Sequence, residues 1–193
     1  MQNLIEQGAE GICDIESQII LYKAYFDKNS NMSKCNNHIN NGEKFFESNQ
    51  FEKAIDEFAT ALKFVPQRID GMLFLSLALL QTKDYRNFEE VSLEGYNVSI
   101  RDHDYTFLVT FFYNLALFYY HNKEYDSSLE FSLKAVEHNP KRTNCWILAG
   151  QAYTELQKYK EALDTYQKAI VNDPDNKTKY DEYINKIKSE MQK

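Results

Sequence analysis

The feature that most constrains the fold of this chain is the spacing of its three prolines, Pro66, Pro140 and Pro174. Pro140 and Pro174 are 34 residues apart, and Pro66 and Pro140 are 74 apart, which is two such intervals with six residues added. Proline interrupts helices more strongly than other residues do, so a shared interval indicates repeated helical units. The sequence therefore predicts a helical repeat protein.

The segment that ends near the last proline shows what each unit contains. Apolar and small side chains recur at helical spacing in its first half, at Trp146, Ala149, Gly150 and Tyr153. They recur in its second half at Tyr159, Ala162, Tyr166, Ala169 and Ile170. A short polar turn separates the halves, and the second helix ends before Pro174 because the residue before a proline avoids the helical conformation. Each unit is predicted to be a hairpin of two helices with one apolar face each.

This pattern resembles the tetratricopeptide repeat, a unit of about 34 residues with the consensus W-x2-L-G-x2-Y…A-x3-F…P. The last unit matches it at eight positions from Trp146 to Pro174, and the units 35–68 and 109–142 match it at most positions. The resemblance implies an all-α fold, a right-handed superhelical solenoid of helix-turn-helix repeats. Small residues then let paired helices approach closely, and aromatic side chains fill the spaces between hairpins.

The resemblance divides most of the chain into repeats. We predict four repeats and a C-terminal capping helix, at 35–68, 69–108, 109–142, 143–176 and 177–193. The capping helix has a charged outer face, as the end of a repeat array needs against water. Residues 1–34 are one repeat long and are predicted to form either a degenerate repeat or one or two packing helices. The Asn-rich stretch 28–41 is expected to be partly loop.

The second repeat departs from the pattern in its second half. Phe88 stands where alanine is expected, Ser92 where an aromatic residue is expected, and Gly95 where alanine is expected. Large and small residues have exchanged places, so Gly95 is expected to make room for Phe88. No proline closes this unit, and the six extra residues follow it. We therefore expect a longer or differently angled second helix here.

Charge and hydropathy exclude several classes of protein. The net charge of −7 argues against a protein that binds nucleic-acid phosphates. The uncharged run 105–120 is shorter than the roughly 18–20 apolar residues of a membrane span, so we expect it to be buried in the protein or in a partner contact. The three cysteines are widely spaced and are expected to be reduced thiols. The first residues do not show a basic segment followed by an apolar run, so we expect a cytoplasmic protein, which includes one within a cilium or another large intracellular assembly.

Candidates for catalysis or metal binding are weak. Asp102, His103 and Asp104 are adjacent, but neighbouring side chains do not converge on one point, and no second His/Cys cluster accompanies them. Cys35 and His38 can share a helix face, yet the nearby charges are glutamates, which do not favour a thiolate. The sequence contains no phosphate-binding, zinc-protease or serine-hydrolase motif. We expect no catalytic residues, no cofactor and no metal.

The first helices of the repeats carry the candidate binding surface. In tetratricopeptide arrays these helices line a concave groove, and the resemblance places an apolar and aromatic set of residues there. The set is Leu73, Phe74, Leu77, Leu80, Tyr113, Asn114, Leu117, Tyr120, Ile147 and Gln151. An apolar patch of this kind is usually a binding site. The alternative, which stays open, is that the N-terminal segment or the irregular second repeat covers it.

These residues predict a noncatalytic scaffold or adaptor that binds an apolar helix or peptide of a protein partner. Chaperone adaptors of the family hold a C-terminal carboxylate with lysine, asparagine and arginine, and of the corresponding positions here only Asn114 fits. A chaperone tail is therefore not expected. The alternative function is a structural subunit of a large ciliary, cell-cycle or organelle complex, which would use the outer faces and residues 1–34.

Overall fold

The computed structural model describes residues 15–105 and 107–192, with side-chain environments given from residue 28 onward. Its described secondary structure is helical, which confirms the all-α fold class. The helices are α1 (Ile15–Glu47), α2 (Phe51–Phe64), α3 (Ile69–Gln81), α4 (Tyr85–Arg101), α5 (Leu108–His121), α6 (Tyr125–His138), α7 (Thr143–Glu155), α8 (Tyr159–Asn172) and α9 (Lys177–Glu190). A short 3-10 turn, Pro174–Asn176, precedes α9.

The chain divides into two units between Thr82 and Lys83. The first unit contains α1, α2 and α3, and the second contains α4 to α9. The division falls inside the predicted second repeat, between its two helices.

In the first unit, α2 packs against both α1 and α3. Cys35 and Ile39 on α1 form a buried cluster with Ala61 on α2. Gly42, one turn further along α1, lies against the ring of Phe58, where an added Cβ would be 2.5 Å from Phe58 Cε1. The close approach of the two helices therefore depends on a residue without a side chain, as the repeat resemblance implies.

The expectation of a partial loop at 28–41 is wrong. Helix α1 runs without interruption through this stretch, although asparagine is a weak helix former. Cys35 and Ile39 are four residues apart, so they lie on one face and pack on α2. This tertiary packing outweighs the local propensity. The two alternatives for residues 1–34 lie largely outside the described residues and stay predictions.

In the second unit, α5 pairs with α6 and α7 with α8, while α6 packs on α7, α9 on α8, and α4 on α5. The hydroxyl of Tyr119 on α5 donates a hydrogen bond to Glu89 on α4. Gly150 on α7 lies against Tyr166 on α8, where an added Cβ would be 2.3 Å from Tyr166 Cζ. The ring of Tyr166 in turn stacks on Tyr183 of α9, with 5.4 Å between centroids. A glycine and a tyrosine thus set the spacing of three helices.

Helix α4 carries the irregularity that the sequence predicts, with a different partner for its glycine. It is 17 residues long, whereas α2, α6 and α8 have 14 each. The expected pairing of Gly95 with Phe88 is wrong, because the ring against Gly95 belongs to Phe111 of α5. Phe88 instead packs on Phe118, with 5.0 Å between ring centroids. Gly95 therefore makes room for the neighbouring helix α5 rather than for a residue of its own helix.

The turns that follow α1, α3, α5 and α7 share one backbone conformation. Asn49, Lys83, Lys123 and Gln157 have positive φ angles between 55° and 64°. They are spaced at 34, 40 and 34 residues, so the six added residues fall between the second and third of these turns. A left-handed residue after the last helical turn is a common way to end a helix. The repeat interval is thus present in the backbone as well as in the sequence.

A buried carboxylate joins the end of α8 to α7 and α9. Asp173 accepts hydrogen bonds from Thr143 at 2.6 Å, Tyr180 at 2.7 Å and Asn176 at 3.0 Å. Burial alone would raise the pKa of the Asp173 carboxyl, but these three hydrogen bonds favour the charged form and hold its pKa below the ordinary value of 3.8. The charged form therefore stabilises the folded unit.

Replacing Asp173 with asparagine should lower the free energy of unfolding at pH 7 by about 1–3 kcal/mol, because the three donors lose a charged acceptor. A group whose pKa is lower in the folded state stabilises it above its unfolded pKa, and this contribution is lost as the pH falls through the folded value. The native chain should thus lose stability below about pH 4, and the variant should lose less. Urea unfolding between pH 3 and 7, monitored by the fluorescence of the single tryptophan, Trp146, measures the stability of each chain and its pH dependence. The exposed Asp175→Asn is the control, and equal pH profiles for the native chain and Asp173→Asn would contradict the argument.

Candidate functional site

Four of the predicted groove residues lie on α3 in the first unit. Leu73 is buried, and Phe74 stacks on Phe58 of α2, with 5.6 Å between centroids. Leu77 and Leu80 are half-buried. Two of the four residues therefore contribute to packing within the unit, and the other two retain some exposed surface.

The other six predicted residues lie on α5 and α7 in the second unit, which pack side by side. Asn114 and Ile147 are buried. The remaining four are half-buried, and we call them the α5–α7 face: Tyr113, Leu117, Tyr120 and Gln151. The three residues of this face on α5 are spaced by four and three positions, so they lie along one side of the helix. This side presents two aromatic rings and a leucine that are only partly covered.

Asn114 is the predicted residue whose environment is least usual. Its side chain is 8% exposed, and its amide nitrogen Nδ2 is buried with no hydrogen-bond partner among the described residues. A buried donor without a partner costs about 1–3 kcal/mol. Because the nitrogen is buried, it is not available to a ligand in this conformation.

Tyr120 connects the α5–α7 face to the end of α7. Its ring contacts Tyr125 edge-on, with 5.5 Å between centroids, and its hydroxyl lies 3.5 Å from Glu155 Oε1, to which it donates. Burial, with a smaller effect of the Glu155 carboxylate, raises the pKa of Tyr120 to about 12. The phenol is therefore neutral over the physiological pH range and acts as a hydrogen-bond donor.

A pocket of about 70 Å³ opens beside Tyr120 in the second unit. It is formed by one residue of α5, three of α7, one of α8 and four of α9. Its lining is Tyr120, Gln151, Thr154, Glu155, Tyr166, Tyr183, Lys186, Ile187 and Glu190. Drug-sized ligands occupy pockets of about 300–1,000 Å³, so this one has room for a single side-chain head group.

The sequence predicts part of this pocket. Tyr120 and Gln151 belong to the predicted groove, whereas the contribution of α9 is not predicted. The signal was available, because Tyr183, Lys186 and Glu190 recur at spacings of three and four residues. A capping helix is expected to use its apolar face for packing alone, so the repeat pattern does not point to a role for α9 in binding.

The candidate catalytic groups are engaged in structural contacts. Asp102 accepts hydrogen bonds from Arg101 at 2.6 and 2.7 Å, and His103 lies in a left-handed turn with Nδ1 3.1 Å from the Tyr105 hydroxyl. His38 Nδ1 is 2.6 Å from Glu57 Oε2. In each case the partner is a neighbouring side chain of the same unit.

The two described cysteines are buried free thiols, Cys35 and Cys145. Burial raises the pKa of both, to about 12 for Cys145, so neither is a thiolate at neutral pH. Among the residues that the structure describes, no group of three or more His, Cys, Asp or Glu side chains is placed to hold a metal ion. Within the same residues, no helix combines the length and apolar character that crossing a bilayer requires.

The sequence comparisons match parts of the chain. Residues 101–169, in the second unit, match the family described as "Anaphase-promoting complex, cyclosome, subunit 3". A UDP-N-acetylglucosamine–peptide N-acetylglucosaminyltransferase of Giardia intestinalis (strain ATCC 50803 / WB clone C6) is 32% identical over 73 residues. That match spans 38% of this chain and 5% of the transferase.

The structural comparisons cover most of the chain. YrrB, described as "a TPR protein with an unusual peptide-binding site", is 15% identical with a TM-score of 0.65 and covers 80% of this chain and 76% of its own. PilF of Pseudomonas aeruginosa is 15% identical with a TM-score of 0.66, and the match covers 84% of this chain and 71% of PilF. A MamA RS-1 structure is 17% identical with a TM-score of 0.70, and the match covers 82% of this chain and 85% of MamA. These structures share the fold of the tetratricopeptide-repeat solenoids, and the chain has this fold.

Proposed function

We propose that this protein is a noncatalytic scaffold that binds a segment of a partner protein on the α5–α7 face. The observation that carries the proposal is that Tyr113, Leu117 and Tyr120 follow one side of α5 and remain only half-buried. Partly exposed aromatic and leucine side chains in a row provide the surface on which an apolar helix or extended peptide binds. A helix offers residues at intervals of three and four, which matches this spacing.

The chemistry of the face limits its partners. The four side chains of the α5–α7 face are uncharged, so they cannot neutralise the carboxylate of an acidic C-terminal tail. The net charge of −7 disfavours nucleic acid. We therefore propose an apolar protein segment as the ligand and a cytoplasmic location, which includes large intracellular assemblies. No cofactor enters this function.

The double variant Tyr113→Glu and Leu117→Glu tests the proposal. Two carboxylates on the face would have to be desolvated against an apolar segment, so binding should weaken at least about tenfold. The measurement is a crosslinked pulldown from the source cells, quantified by mass spectrometry against the native chain. Loss of the same few proteins in repeated experiments is the expected result.

The control places the same charge elsewhere in the second unit. Val171 on α8 is 79% exposed, so Val171→Glu should leave the captured proteins unchanged. Circular dichroism and the fluorescence of Trp146 must show that all variants are folded. Tyr113→Ser with Leu117→Ala is the milder pair if the glutamates disturb folding. A folded variant that retains every partner of the native chain contradicts the proposal.

A structural subunit of a large assembly is the second candidate. It is favoured by the match of residues 101–169 to the family of an anaphase-promoting complex subunit. In that case the second helices of the last two repeats, α6 and α8, and the segment 1–34 would make the permanent contacts. The Val171→Glu variant would then lose partners, and the double variant on the α5–α7 face would retain them.

A further inference from the structure

The pocket beside Tyr120 has a mixed aromatic and charged lining. The ring of Tyr183 is held nearly parallel to the fully buried ring of Tyr166, with an interplanar angle of 14°. Ile187 adds an apolar wall from α9. Flat, immobilised aromatic rings beside an aliphatic side chain suit the methylene stem and planar head group of a long side chain.

The charges at the pocket favour a cation. Glu155 lies at the end of α7 and Glu190 near the end of α9, and Lys186 is the one lysine in the lining. Two carboxylates and one ammonium leave a formal charge of −1 at a pocket of about 70 Å³. Among the described residues neither glutamate forms an ion pair, and the hydrogen bonds to Glu155 come from the neutral hydroxyls of Tyr120, at 3.5 Å, and Tyr125. Both carboxylates can therefore still accept hydrogen bonds from a cation.

We propose that this pocket binds the side chain of one arginine in the partner segment that lies on the α5–α7 face. The inference rests on the proposed function, because Tyr120 and Gln151 belong both to that face and to the pocket. The guanidinium stacks on the Tyr183 ring and donates to Glu155 and Glu190, while its stem lies along Ile187. Arginine fits better than lysine, since its planar head group stacks on aromatic rings and also donates two parallel hydrogen bonds to a carboxylate.

Lys186 defines the opposite hypothesis. If its ammonium dominated the pocket, the occupant would be an aspartate or glutamate side chain. Two carboxylates would then face the ligand carboxylate at short range, which is unfavourable. In the proposed arrangement Lys186 weakens arginine binding, so Lys186→Gln should strengthen it about two- to fivefold.

The test uses the full chain labelled with 3-fluorotyrosine and small probes of defined charge. N-acetyl-arginine methylamide should cause a saturable change in the ¹⁹F resonance of Tyr183, which the Tyr183→Phe variant assigns. The citrulline analogue has nearly the same shape without the charge and should bind at least about fivefold more weakly. Glu155→Gln and Glu190→Gln should each weaken arginine binding about tenfold.

Two controls make the test specific. Glu161→Gln removes an exposed carboxylate from α8, outside the pocket, and should leave the affinity unchanged. N-acetyl-aspartate methylamide should not shift the resonance. Three results would overturn the proposal. They are equal binding of the arginine and citrulline probes, binding of the aspartate probe that is lost in Lys186→Gln, and a dissociation constant above about 10 mM for the arginine probe.

The two proposals fail in different experiments. If the arginine probe does not bind but the double variant on the α5–α7 face loses its partners, the pocket proposal is wrong and the scaffold proposal stands. If the probe binds as expected but the double variant retains its partners, the scaffold proposal is wrong, and with it the assignment of the arginine to a partner segment on that face.

Discussion

Replacing Tyr166 with alanine should lower the free energy of unfolding of the second unit by about 3–5 kcal/mol, the range found when large aromatic side chains are removed from cores. The ring is 1% exposed and lies between Gly150 on α7 and Tyr183 on α9. Alanine would leave a cavity bordered by three helices, and the glycine opposite has no side chain that could fill it. Urea unfolding monitored by Trp146 fluorescence and by circular dichroism measures the loss.

The matched control for this prediction is Tyr166→Phe. It keeps the ring and removes only the hydroxyl, which donates to the Ile147 carbonyl oxygen at 3.3 Å. A hydrogen bond of this length contributes at most about 1.5 kcal/mol, so the phenylalanine variant should unfold near the native chain. If both variants lost the same stability, the hydroxyl and not the packing of the ring would hold the helices together.

The close approach of paired helices could be predicted from the sequence because it depends on local spacing. The repeat pattern predicts a small residue on the first helix, where paired helices approach closely, and Gly150 does lie directly against Tyr166 of the second helix. The same is true of Gly42 and Phe58 in the first unit. In both cases the two residues belong to one hairpin, whose short turn determines which faces meet.

Contacts that involve the irregular repeat could not be predicted in the same way. The sequence predicts that Gly95 faces Phe88, because the two exchange size within one helix, yet its neighbour is Phe111 on the following helix. The consensus spacing carries no information about a helix that is longer than its counterparts and is followed by six added residues. The partner of a residue on α4 is thus decided by tertiary packing.

The candidate site was predictable to a similar extent. Their positions in the repeat predict that Tyr120 and Gln151 belong to a binding surface, and both line the pocket. Tyr183, Lys186 and Glu190 are not predicted to belong to it, because α9 lies beyond the last proline and has no place in the repeat pattern. Its contribution depends on how it packs against α8, which brings Tyr183 onto Tyr166.

A second large effect is expected where α4 meets α5. The substitution Gly95→Val should destabilise the second unit by about 1–3 kcal/mol or more, because a Cβ at this position would lie 2.4 Å from Phe111 Cζ and valine adds two further methyl groups. Phe111 is fully buried, so its ring cannot move aside into solvent. Urea unfolding of the full chain, followed by circular dichroism, gives the loss.

The contrasting variant is Gly71→Ala in α3 of the first unit. There an added Cβ would be 3.1 Å from Leu62 Cδ2, the end of a flexible side chain that can shift by a few tenths of an ångström. Alanine also favours a helix over glycine by about 1 kcal/mol, so this variant should be neutral or slightly more stable. This pair of results would show that position 95 requires glycine because a side chain has no space there, whereas position 71 accepts alanine.

A double-mutant cycle separates the contact with Phe111 from other effects of valine in α4. Phe111→Leu shortens the side chain opposite Gly95 and should cost stability by itself. If the two residues meet as the structure places them, the combined variant should lose less than the sum of the single losses, with a coupling of about 0.5–3 kcal/mol. Purely additive losses would mean that valine acts through helix propensity or through another neighbour, and the assignment of Phe111 as the residue that requires Gly95 would be wrong.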